Sequence, residues 1–275
     1  MSNPPVRTVF FVSDGTGITV EMLGHSLLTQ FDGIAFEQVT APFVNTRERA
    51  EEWAARIAVL VRDGLRPVVL TTLVDESIRA VFKSTGAFVL DFFEMFLNPL
   101  ELELGIGSTH TMGRSHSARD RAGYQQRMEA VNFSLAHDDG ISTRDLPKAD
   151  VILVGVSRSG KTPTCLYLAL QFGVRAANYP LIPEDFERGE FPPALAPHLG
   201  KIFGLTIVPE RLSEIRNERR PGSQYADPEN CRREVAAAEA MMRGLGIRWV
   251  NSTTKSIEEI AATIMEEIRI VRRAF

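Results

Sequence analysis

Cysteine is almost missing from this 275-residue chain. Cys165 and Cys231 are the only two, too few for a disulfide framework and without the His/Cys spacing of a zinc site. Long apolar runs are missing as well: none approaches the roughly 18 residues of a membrane-spanning helix. The apolar stretch VRTVFFV near the start is too short for a signal peptide and breaks into SDGTG. Neither charge dominates, with 31 Lys+Arg against 35 Asp+Glu, which speaks against a general nucleic-acid binder. There is no sequence repeat and no low-complexity tract. What remains is a globular protein expected in a reducing cytoplasm, with no membrane and no nucleic-acid partner.

The chain does carry alternating strand and helix patterns. Short β-branched runs at 6–12, 34–44, 67–74 and 88–92 predict strands, with helical spacing over 18–31 and 46–62 and Asp75 placed to cap the helix after the third strand. The pattern fails over 104–119, a stretch rich in Gly, Ser, Thr, His and Arg, and a helix is predicted over 121–135. Strands at 151–156, 174–178, 201–208 and 247–251 then alternate with helices at 161–171, 209–219, 228–245 and 257–273. The expected fold class is α/β with mostly parallel sheets. An N-terminal α/β region (1–104) and a joining segment (105–146) would precede a P-loop-containing parallel-sheet nucleotide-binding domain (147–275).

GVSRSGKT, from Gly155 through Val156, Ser157, Arg158, Ser159, Gly160 and Lys161 to Thr162, has the G-x-x-x-x-G-K-T pattern of a phosphate-binding loop. Its two glycines allow the dihedrals that turn backbone N–H groups toward phosphate oxygens. The loop opens a helix, whose N-terminus favours an anion. Lys161 would supply positive charge to the phosphates and Thr162 a hydroxyl ligand for Mg²⁺. No N-K-x-D base-reading motif follows. The later strands end without Asp or Glu; the acidic strand ends lie upstream, at Asp14, Asp75 and Asp91. A phosphotransferase fits this better than a GTPase or a motor.

Other residues leave alternatives open. Asp14, in SDGTG after the first strand, reads as a ligand or base at a second anion or Mg²⁺ site, or as part of a tight turn. His137-Asp138-Asp139 reads as a proton relay or as a helix end. His110, Arg114, His116 and Arg119 read as a basic lid or as a solvated linker. Arg211, Arg216, Arg219 and Arg220 read as neutralisers of a transferred phosphoryl group or as a surface helix laced with Glu210, Glu214 and Glu218. Arg219 and Arg220 are the stronger pair, since no acidic residue follows them at helical spacing. Cys165 falls on the apolar side of the loop's helix and reads as core.

With VFFVSDGTGITVEMLGHSLL at the N-terminus, GVSRSGKTPTCLYLAL midway, then NYPLIP and LSEIRNERR, the chain resembles the bacterial phosphoenolpyruvate synthase regulatory proteins, close relatives of the pyruvate, phosphate dikinase regulatory proteins. The resemblance spans nearly the whole length. It implies a bifunctional enzyme that phosphorylates a threonine of the synthase with ADP and removes that phosphate with inorganic phosphate, releasing pyrophosphate. It places the nucleotide loop on Gly155 to Thr162, and it leaves the dikinase as an alternative target. One site would then serve both directions, with Lys161 at the reacting centre and Asp14 or His137 as the base. A homodimer is expected on general grounds. The competing readings are a P-loop small-molecule kinase with a fused N-terminal domain and a nucleotide-sensing regulator without chemistry.

Overall fold

The computed structural model describes residues 6–109, 111 and 121–268. The chain divides into two compact units, Met1–Ser117 and Ala118–Phe275. Each is built on a four-stranded parallel sheet, as the α/β alternation predicts.

In the first unit the strands β1 (Val6–Val12), β2 (Ala35–Ala41), β3 (Val68–Thr71) and β4 (Phe88–Asp91) lie in the order β2-β1-β3-β4. The period of two along β1 divides the core between two faces. Phe10 and Val12 meet Ile57 and Phe82, from α2 (Arg47–Arg62) and α3 (Glu76–Lys83). Val9 and Phe11 meet Val20 and Phe92, from α1 (Ile18–Leu28) and α4 (Phe92–Leu104). A side chain at Gly24 would bring its Cβ within 2.4 Å of the Phe11 ring, so only glycine lets α1 lie this close to the sheet. Thr46 caps α2 and Asp75 caps α3, through bonds from Arg49 N and from Ser77 N. Helix α4, which the sequence pattern does not announce, follows β4 at once because Asp91 accepts from Glu94 N at 2.8 Å and caps it; Pro99 sits inside that helix.

In the second unit β5 (Val151–Gly155), β6 (Ala176–Pro180), β7 (Ile202–Thr206) and β8 (Trp249–Asn251) take the order β6-β5-β7-β8. Strand for strand this is the order of the first sheet, a correspondence that the absence of sequence repetition conceals. All five residues of β5 are buried. Val151 and Leu153 pack toward α6 (Lys161–Phe172) and α10 (Ile257–Glu267). Ile152 and Val154 pack toward α8 (Pro209–Arg219) and α9 (Pro228–Gly244). Helix α5 (Arg121–Ala136), expected within the joining segment, lies against α6 and β6. A short helix, α7 (Pro183–Arg188), follows β6. Among the described residues no helix is long and apolar enough to cross a membrane.

Candidate active site

The loop after β5 has the geometry that its glycines require. Gly155 takes φ +148°, and a Cβ there would lie 2.1 Å from the Leu205 carbonyl oxygen, so the neighbouring strand excludes every other residue. Gly160 takes φ +92° and precedes α6 without a side-chain cap, leaving the first turn of the helix open to an anion. Arg158, at φ +76°, is in the left-handed region although it is not glycine, and its side chain is exposed. Ser252 Oγ donates to the Ser159 carbonyl at 2.9 Å and to the Thr206 carbonyl at 3.0 Å, tying the loop to β7. The Ser159 hydroxyl is buried with no hydrogen-bond partner among the described residues.

Lys161 is 4% exposed, and its amine donates to the Val156 carbonyl at 2.9 Å. Burial pushes the ammonium down to about 8, against the pull of the Asp139 and Asp138 carboxylates. Those carboxylates come from the 3-10 turn Asp138–Gly140 at the end of α5. Thr162 Oγ1 donates to Asp138 Oδ1 at 2.8 Å. Asn178, 2% exposed at the third position of β6, holds the pair together: its Nδ2 donates to Thr162 Oγ1 at 2.9 Å and to Asp138 Oδ1 at 2.5 Å. Its backbone N–H bonds the His137 carbonyl at 3.0 Å. Asp139 is exposed and held at φ +47°, a strained conformation for a residue with a Cβ.

One cavity of about 760 Å³ opens over this arrangement. Asp138, Asp139, Lys161 and Thr162 line it with Arg219 and Arg220, the stronger arginine pair of the sequence reading. Arg211 instead faces outward and pairs with Glu214 at 2.8 Å. Arg216 proves to be a completely buried cation. Its Nη2 donates to the Ser157 carbonyl at 3.2 Å and to Glu234 at 2.7 Å, and its Nη1 to the Tyr225 carbonyl at 3.0 Å. The guanidinium lies 4.1 Å from the Tyr225 ring centre, and the Tyr225 hydroxyl is 2.8 Å from Ser157 Oγ. The sequence pattern does not separate Arg216 from its neighbours; the signal that marks it is its place four residues after Leu212, the other buried residue of α8.

His137 is buried, stacked on Phe133 at 4.0 Å with its Nδ1 donating to the Phe133 carbonyl at 2.8 Å. The turn thus carries the Asp138 carboxylate, and not the imidazole, to the hydroxyl of Thr162, while Asp139 accepts from Asn178 Nδ2 at 3.3 Å. Asp14 belongs to the first unit, where its Oδ2 accepts from Val74 N at 3.1 Å and burial raises its carboxyl above the ordinary range. Cys165 is core, as read, and burial pushes its thiol up. His110, Arg114, His116 and Arg119 lie outside the described residues.

Residues 9–265 match the kinase/pyrophosphorylase family. The chain belongs to that family. It is therefore an enzyme of the kinase and phosphotransferase type, and the phosphate loop with its facing carboxylates stands in the middle of the matched span. A protein of Burkholderia multivorans named "Putative phosphoenolpyruvate synthase regulatory protein" is 61% identical over 269 residues, covering 98% of this chain and 99% of its own. One of the same name from Paraburkholderia xenovorans is 60% identical over 273 residues, covering 99% of this chain and 100% of its own. The similarity therefore runs through both units of this kinase/pyrophosphorylase.

Proposed function

We propose that this kinase/pyrophosphorylase regulates phosphoenolpyruvate synthase by moving one phosphoryl group in two directions at the Gly155–Thr162 loop. In one direction the β-phosphoryl of ADP passes to a threonine hydroxyl of the synthase, leaving AMP and a proton and inactivating the target. In the other, inorganic phosphate attacks the phosphothreonine phosphorus, the P–O bond to threonine breaks, and pyrophosphate and the free hydroxyl result. The target comes from the name borne by relatives about 60% identical over nearly the whole length. The observation that carries the reaction type is the Thr162–Asp138 contact beside the buried amine of Lys161, at the mouth of a loop shaped for phosphate.

Each residue has a part that its position supports. The open first turn of α6 and Lys161 hold the phosphate, as ADP's terminal group in one direction and as the attacking phosphate in the other. The oxygen donors of Thr162 and Asp138 suit Mg²⁺, a hard cation that takes one or two carboxylates and completes its shell with phosphate and water. When bound, that ion neutralises charge on the phosphates. Asp139, exposed on the cavity wall, takes the threonine proton as the hydroxyl attacks. In reverse it relays the proton of hydrogen phosphate to the departing threonine oxygen. Arg219 and Arg220, on the same cavity wall, offset phosphate charge beyond the group that the loop and Lys161 hold. His137 has a structural part, since its carbonyl fixes Asn178 and its ring fills the space against Phe133.

Incubating the protein with the synthase and ADP labelled in the β-phosphate tests the reading. Label on a synthase threonine, recovered as pyrophosphate after inorganic phosphate is added, is expected. Label passing to a small molecule would assign a metabolite kinase instead. Transfer to the dikinase and not the synthase would change the target and leave the chemistry standing.

A further inference from the structure

We infer that the cavity holds a second phosphate subsite, separate from the loop and made by Arg158, Arg219 and Arg220. This deepens the proposed function and rests on its placement of a phosphate at the loop.

The first ground is the pairing of the arginines. Several exposed arginines of the second unit are held by a neighbouring side chain: Arg211 pairs with Glu214 at 2.8 Å, Arg232 with Glu210 at 3.3 Å and Arg248 with Glu267, Arg233 bonds the Asn230 amide at 3.1 Å, and Arg243 lies over the Trp249 ring. Arg158, Arg219 and Arg220 line the same cavity as Lys161, and the side chain of none of them has an ion pair or hydrogen bond among the described residues. Unpaired guanidinium groups gathered at one cavity are forks without a carboxylate or phosphate, the groups to which their geometry is matched. The loop and Lys161 already answer one phosphate, so three further cations exceed what that phosphate needs.

The second ground is how the arginines are held. Arg219 and Arg220 stand in the short stretch between Arg216 and Tyr225, and both ends of that stretch are fastened to the phosphate loop. Arg216 Nη2 bonds the Ser157 carbonyl at 3.2 Å, and the Tyr225 hydroxyl bonds the Ser157 side chain at 2.8 Å. Arg216 is fully buried and is also held by Glu234 at 2.7 Å, so this end cannot swing freely. Arg158 follows Ser157 directly, in the left-handed backbone that turns it outward from the loop. All three arginines are thus positioned from one residue of the loop, a brace that an ordinary solvated helix face would not need.

The chemical class of ligand is a phosphate monoester beside the loop's own phosphate. Two sources supply one: the phosphothreonine of the protein substrate, or the α-phosphate of the nucleotide. Pyrophosphate, which carries two linked phosphates, is the free probe that spans both positions.

The test compares inorganic phosphate with pyrophosphate by calorimetry on the full chain, with Mg²⁺ present. Wild type is expected to bind pyrophosphate at least about 10-fold more tightly than phosphate. The R219A/R220A variant, altered at two exposed positions, is expected to keep its phosphate affinity within about 3-fold and to lose the preference. Y225F is expected to lose part of that preference. Phosphate binding without a pyrophosphate preference in wild type would overturn the second subsite alone, as would a preference that survives R219A/R220A or a parallel loss of both affinities. Absence of any phosphate binding would overturn the loop assignment and this inference together. With phosphate saturating the loop, O-phosphothreonine and AMP are then offered in turn. The ligand whose binding weakens in R219A/R220A is the source that uses the subsite, and binding of both unchanged by the variant overturns the inference.

Discussion

Thr162 donates its hydroxyl proton to Asp138 at 2.8 Å across 24 residues of chain. The hydroxyl belongs to the phosphate loop, and the carboxylate to the turn that ends α5, upstream of the whole second sheet. In many phosphate-loop enzymes the acidic partner follows on a later strand. Here the carboxylate that meets the loop's hydroxyl comes from upstream, and the later strands end without Asp or Glu.

Replacing Asp138 by Asn leaves the hydrogen bond to Thr162 possible but removes the charge. Mg²⁺ affinity measured with ADP present is expected to fall about 10- to 100-fold, and both reaction directions with it. Binding of ADP without Mg²⁺ is expected to change little. An unchanged Mg²⁺ dependence would remove Asp138 from the metal-binding set.

The Lys161 ammonium gives the site a pH dependence with a definite sign. Burial lowers it to about 8 in the free protein, so the amine is charged below that pH and neutral above it. A bound phosphate favours the charged form and raises its pKa. Binding above pH 8 must therefore take up a proton, and ADP affinity is expected to fall toward 10-fold per pH unit there. Calorimetry in buffers of different ionisation enthalpy reads that proton directly; binding at pH 9 with no uptake would contradict the placement of Lys161.

The two glycines of the loop differ in what surrounds them. G155A puts a methyl group against the Leu205 carbonyl at 2.1 Å, in a backbone conformation foreign to alanine. A loss of about 3 kcal/mol or more is expected by urea denaturation. G160A meets open space and carries only the strain of φ +92°, expected at about 1–2 kcal/mol. Equal losses would show that the β7 contact does not confine the loop.

Removing Arg216 leaves Glu234 and the Ser157 and Tyr225 carbonyls without their donor in the interior. R216A is expected to cost about 3–5 kcal/mol, since half of a buried ion pair is stranded. R211A, which breaks an exposed pair three residues apart, is expected to cost less than about 0.5 kcal/mol. Comparable losses from the two would deny Arg216 its part as the brace.

The sequence made the alternation of strands and helices legible, because apolar period and turn residues act locally at 6–12, 46–62, 151–156 and 228–245. It also made the loop legible, since Gly155, Gly160, Lys161 and Thr162 carry their chemistry in fixed spacing. The partnership of Asp138 with Thr162 was not legible: it depends on α5 packing against α6 and on Asn178 reaching from β6. His137 drew notice as the imidazole of its trio, yet backbone and stacking contacts absorb its ring while Asp138 meets the loop. Arg216 read as one of several arginines among glutamates; only its place in line with Leu212 distinguishes a buried cation from a solvated one. The shared strand order of the two sheets left no trace in residue identity, because many sequences satisfy the same alternation.

Whether one phosphate site serves both directions is tested most directly by K161A. The rate of β-phosphoryl transfer from ADP to the synthase and the rate of phosphate-dependent release of pyrophosphate from the phosphorylated synthase are measured on the same preparation. Both are expected to fall together, by about 100-fold or more. Loss of the kinase rate with the pyrophosphate-releasing rate intact would contradict the single site and require a second centre for phosphorolysis.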